Sequence, residues 1–79
     1  MEKSEIEERV KKVIAKILKT EIAEIKGDSN FIFDLGADSM QSVELVAGFD
    51  EEFDIEMDED EALAVQNVTD AVNFIKKLI

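Results

Sequence analysis

The chain has 79 residues, 46% of them apolar and 37% charged, with 9 Lys and Arg against 20 Asp and Glu for a formal net charge of -11. That length holds one core, so residues 1–79 are expected to form a single domain, with enough apolar side chains to fold it. With no Cys and no His, it can build no disulfide, thiolate nucleophile, catalytic triad or usual transition-metal site, so an enzyme is not expected.

The N-terminal stretch Met1-Glu2-Lys3-Ser4-Glu5 lacks the basic and apolar regions of a signal peptide, and no apolar run approaches the roughly 18 residues of a membrane span. A cytosolic protein is expected. Ser4 and Glu7 read as a capping box, and Ile6, Val10, Val13, Ile14, Ile17 and Leu18 recur at helical spacing, which predicts a helix over residues 4–19. Its bases gather toward the C-terminal part, where the helix dipole favours them. From Thr20 to Asp38 no helical period persists and Gly27-Asp28-Ser29-Asn30 is a turn cluster. A loop of this length is uncommon in a small domain unless it is functional, and Ile22, Ile25, Phe31, Phe33 and Leu35 are expected to pin it to the core.

Asp38, with Gln41 three residues on, predicts the start of a second helix that runs to about Phe53 or Asp54. Leu45, Val46, Phe49 and Phe53 fall on one face, the expected core face. Met40, Val43 and Ala47 fall nearly opposite, flanked by Glu44 and Glu51, a stripe that reads either as a partner surface or as scattered surface apolar residues. Residues 54–61 are an acidic connector, and Glu59 to Ala64 predicts a short third helix. Asn67 caps a last helix through Val68, Ala71, Val72, Ile75 and Leu78, with Lys76 and Lys77 near its end. The expected fold is therefore all-α, a four-helix bundle of three longer helices and one short third helix, with a long loop between the first and second.

Charge is distributed unevenly: residues 1–27 hold seven bases and six acids, residues 28–79 two bases and fourteen acids, and no base occurs from Asp28 to Ile75. This field repels nucleic acid and attracts proteins with basic patches; the plainer reading is that it keeps a small protein soluble. The acidic connector is not a calcium loop, because a loop begun at Asp54 has Glu59 where glycine is needed and one begun at Asp28 has Ile32 where an oxygen ligand is needed. Ser39 is the hydroxyl of greatest interest. At the start of a helix after a glycine turn, it would set an attached phosphate against free N–H groups and the positive end of the dipole; the alternative is a second capping hydroxyl beside Asp38. No His is present to activate it as a nucleophile.

The run Asp34-Leu35-Gly36-Ala37-Asp38-Ser39-Met40-Gln41-Ser42-Val43-Glu44-Leu45-Val46, with the downstream Asp50-Glu51-Glu52-Phe53-Asp54-Ile55-Glu56, closely resembles the acyl carrier proteins of bacterial-type fatty acid synthesis. The resemblance implies a four-helix bundle, expected to be a monomer, that carries acyl groups as thioesters on 4'-phosphopantetheine attached to Ser39. It implies a phosphopantetheinyl transferase that moves this arm from coenzyme A, with Asp38 helping to position metal and donor. Acyl-processing enzymes with basic docking patches would meet Met40, Val43, Glu44, Ala47, Asp50 and Glu51. The acyl cavity is expected near Leu45, Val46, Phe49, Ala62, Val65 and Ile75. The pathway stays open between fatty acid synthesis and a specialised lipid or polyketide route. Met40 and Gln41 depart from the commoner residues of the family, Asp58 replaces a frequent proline, and Leu63 stands where an acidic contact residue is usual. An acidic helical adaptor that binds basic enzymes without a prosthetic group is the alternative.

Overall fold

Ile6, Val10 and Ile14 lie one helical turn apart on the same face of the first helix, and all three are fully buried. They anchor α1 (Lys3–Leu18) in a computed structural model that describes residues 2–79, the side chains of Glu59 and Leu63 excepted. The expectation for Leu63 lies outside the described residues. A 3-10 turn follows at Ile22–Glu24, then α2 (Ser39–Phe53), α3 (Glu59–Leu63) and α4 (Val68–Leu78). Among the described residues the only strand-like pairing is an isolated antiparallel bridge between Asn30 and Asn67, so the all-α expectation holds.

The helix starts differ in how they are capped. The Asn67 side chain accepts the Asp70 N–H at 2.8 Å, and Asp58 accepts the N–H groups of Asp60 and Glu61 at 3.0 and 3.2 Å. Asp58 is thus the N-cap of α3, work that its side chain can do and a proline's cannot. The Ser4 capping box does not form. Helix α1 begins one residue earlier than the pattern predicts, with Glu2 as N-cap and no side-chain capping bond; the Ile6 N–H donates to the Glu2 carbonyl. At the other end Lys19 is already outside the helix, in the left-handed region, and its N–H closes on the Ala15 carbonyl.

Against α1 pack both α4 and α2. Helix α4 contributes Val68, Ala71, Val72 and Ile75, and α2 contributes Leu45, Phe49 and Phe53. Removal of each of these side chains from water, the smaller Ala71 excepted, is worth about 1.5–3 kcal/mol. Gly48 lets α1 and α2 approach: a Cβ there would lie 2.8 Å from Val13 Cγ1 and 2.9 Å from Ile17 Cδ1. Arg9 fastens the same two helices, with Nε donating to Glu52 Oε2 at 2.6 Å, Nη2 donating to the Glu52 carbonyl at 2.7 Å, and the guanidinium 4.7 Å above the Phe53 ring. The dipole reading of the α1 bases therefore covers Lys16 in the last turn but not Arg9, whose role is tertiary.

The long loop is held by α4. Thr69 N–H donates to the Gly27 carbonyl at 2.9 Å, Val68 N–H to the Ser29 carbonyl at 3.3 Å, and Phe31 N–H to the Gln66 carbonyl at 3.0 Å. The first two bonds satisfy N–H groups that a helix start otherwise leaves without acceptors. Of the apolar residues expected to pin the loop, Ile25 and Phe31 are buried and Leu35 half-buried, whereas Ile22 and Phe33 are exposed. The core beneath the loop takes only some of these side chains because tight turns point their neighbours outward. No helix among the described residues is long and apolar enough to cross a membrane.

Candidate functional site

The segment before α2 is shaped by a left-handed glycine. Gly36 has φ +74, a conformation that costs a side-chain-bearing residue about 1–2 kcal/mol. Its N–H donates to the Ile32 carbonyl at 3.1 Å, and the next N–H, of Ala37, to the Phe31 carbonyl at 2.8 Å. Ala37 is buried, so the chain is tied to the core immediately before it emerges at Asp38.

Asp38 then starts α2 with a full capping box. Its Oδ1 accepts the Gln41 N–H at 2.7 Å, and Gln41 Oε1 accepts the Asp38 N–H at 3.2 Å. Gln41 therefore has a local task at the helix start, and an amide performs it without adding charge. Ser42 Oγ donates to the Asp38 carbonyl at 3.1 Å. With these bonds made by its neighbours, Ser39 is the first residue of α2, is exposed, and its hydroxyl has no partner among the described residues. The capping alternative for Ser39 is thus not what forms.

Beside Ser39 opens a cavity of about 420 Å³ with mostly apolar walls. Leu45, Val46 and Phe49 line it from α2, Ala62 from α3, and Val65 from the segment after α3, five of the residues expected there. Ile75 does not line it. That side chain is fully buried, and on α4 it is the smaller Ala71 that reaches the wall. Ile75 belongs instead to the packed core, because the buried face of α4 turns mainly away from the cavity. Residues that sequence reasoning did not place here are Met57 and the loop residues Phe31, Ile32 and Phe33. The dense apolar run Phe31-Ile32-Phe33 immediately ahead of the serine motif was the signal available for the last three.

The outward stripe of α2 is present: Met40 is 73% and Val43 51% exposed, and Ala47, Glu44 and Glu51 are exposed as well. Asp50 is placed differently from its neighbours. It is half-buried, and its Oδ1 accepts the Met57 N–H at 3.0 Å, which ties the connector to the end of α2. Its carboxylate is thereby turned from the exposed stripe toward the chain. Glu44, Ala47 and Glu51 also form one wall of a groove whose other wall carries Lys12 and Lys16 of α1, so the acidic face has a basic border on that side. Among the described residues no three carboxylates stand close enough together to hold a metal ion.

Comparison with known proteins bears on this geometry. A family model described as the phosphopantetheine attachment site matches residues 8–75. A curated acyl carrier protein of Clostridium acetobutylicum is 54% identical over 69 residues, which cover 87% of this chain and 90% of that protein.

Proposed function

Since the chain belongs to the acyl carrier protein family, a family of carriers rather than enzymes, we propose that Ser39 is the residue through which it bears 4'-phosphopantetheine. That group supplies the terminal thiol on which acyl groups are held as thioesters, a sulfur that a chain without Cys cannot provide itself. The observation that carries the assignment is the Ser39 hydroxyl: exposed, without a hydrogen-bond partner among the described residues, and on the rim of the apolar cavity. The start of α2 favours the negative charge of a phosphodiester at this position. Asp38 uses one carboxylate oxygen as a cap and has the other left to position metal and donor for the transferase.

Partner enzymes with basic patches would read Glu44 and Glu51 around the apolar Met40, Val43 and Ala47, whose exposure suits a small docking face. Asp50 contributes through its hold on Met57 more than as a free docking charge. The carrier acts as a monomer in fatty acid synthesis or a dedicated lipid or polyketide route, and intact mass of the protein from its native host, with its acyl group, identifies which. The reading as an adaptor without a prosthetic group is set aside by the phosphopantetheine attachment match.

Incubation with a phosphopantetheinyl transferase and coenzyme A is expected to add one phosphopantetheine to the wild type by intact mass and none to Ser39→Ala. No addition to the wild type, or addition to the variant, overturns the assignment.

A further inference from the structure

Two large apolar side chains on the loop ahead of α2 stay exposed, Ile32 at 56% and Phe33 at 88%. Single exposed apolar residues are ordinary, but the backbone beneath these two is held by several hydrogen bonds. Asn30 Oδ1 accepts the N–H groups of both Ile32 and Phe33 at 2.9 Å, and Asp34 Oδ2 accepts the Asn30 N–H at 2.7 Å. The Asn30 carbonyl in turn accepts from Asp34 and Leu35, both at 3.0 Å. Phe33 is therefore presented by a hydrogen-bonded turn rather than left on a slack loop.

Ile32 and Phe33 also line the same cavity as Ser39 and Val43. The mouth thus has two sides, the turn on one and the first turns of α2 on the other, with the proposed attachment serine on its rim. A rigid aromatic at the mouth of an apolar cavity gains contact area when an apolar chain passes beneath it, at little conformational cost. We propose that Ile32 and Phe33 form a fixed apolar lip over the cavity mouth, and that Phe33 is a specificity-determining residue that retains apolar acyl chains attached through Ser39. This rests on the reading of Ser39 as the carrier residue. The occupant of the lip is the chain's own cargo, because the lip and Ser39 share one cavity.

The test uses wild type and Phe33→Ala, each loaded by a transferase from coenzyme A bearing either an acetyl group or a medium-length saturated acyl group, with one addition confirmed by intact mass. Cleavage of the thioester by hydroxylamine is then followed. The medium-length chain is expected to be released about three- to tenfold faster from Phe33→Ala than from wild type, with equal rates for acetyl and with protection restored in Phe33→Leu. The rise in melting temperature on acylation should also shrink in Phe33→Ala, while the unloaded proteins melt alike. Equal release of the medium-length chain from both proteins overturns the lip and leaves a partner enzyme as what covers Phe33. Failure of the wild type to load is instead a failure of the Ser39 reading, whereas failure of Phe33→Ala alone places Phe33 in the contact with the transferase and overturns the lip.

Discussion

Two halves of this small bundle are built to different ends. Where α1 meets α4, Ile6, Val10, Ile14, Val68 and Ile75 are all without solvent exposure, and the α1 bases Arg9, Lys11 and Lys12 each have a carboxylate partner. On the side formed by α2, α3 and the long loop, the helices enclose a cavity, and apolar residues such as Phe33, Met40 and Val43 remain in solvent. The solid half supplies stability, and the hollow half holds the cavity that the proposed function gives to the cargo. A domain of this length, with few kcal/mol in hand, tolerates a cavity only if the rest is tightly packed.

Identical truncations in the two halves test the contrast most strongly. Val10→Ala removes two methyl groups from a fully buried site and is expected to cost about 2–3 kcal/mol, lowering the melting temperature by roughly 10 °C or more. Val46→Ala removes the same atoms from a half-buried side chain beside existing space, and about 1 kcal/mol or less is expected. Equal losses in thermal melts would show that both sites are equally packed. The junction of the halves is probed by Gly48→Ala. Alanine favours the helix by about 1 kcal/mol, but Val13 Cγ1 sits on a stiff β-branched side chain that cannot swing aside, as Ile17 Cδ1 can. Overpacking of about 1–3 kcal/mol should prevail, for a net loss of up to about 2 kcal/mol; a variant that melts higher than wild type would mean that the helices have room to part. The smallest stability effect is expected for Asp38→Asn, within about 0.5 kcal/mol, because asparagine caps as well as aspartate. Its rate of phosphopantetheine addition should nevertheless fall, and an unchanged rate would reduce Asp38 to a cap.

The features legible from sequence were those with local causes. Asp38 with Gln41 and Asn67 with Asp70 mark helix starts within four residues, and both form as the pattern predicts. The opposed faces of α2 follow from its periodicity. Ser4 looked like an equally good cap, but nearby residues do not decide the start of a helix whose position is set by burial of Ile6, Val10 and Ile14. What was not legible depends on distant residues: the Arg9 clamp on Glu52, 43 positions away, the diversion of Asp50 to Met57, and the choice of Ala71 over Ile75 for the cavity wall. Phe33 was expected to turn inward because it is apolar; the Asn30 turn determines otherwise.

The bonds from Gly27, Ser29 and Phe31 to the start of α4 also govern the order in which the molecule is assembled. Thr69 and Gly27 lie 42 positions apart, so their pairing must wait until the intervening chain has been drawn into a closed loop, at an entropic cost that local helix turns do not meet. The first turn of α2, with Asp38 and Gln41, needs no such closure. On this account the turn that carries Phe33 and the start of α2, each held by bonds spanning no more than four residues, can form before the loop is fastened to α4.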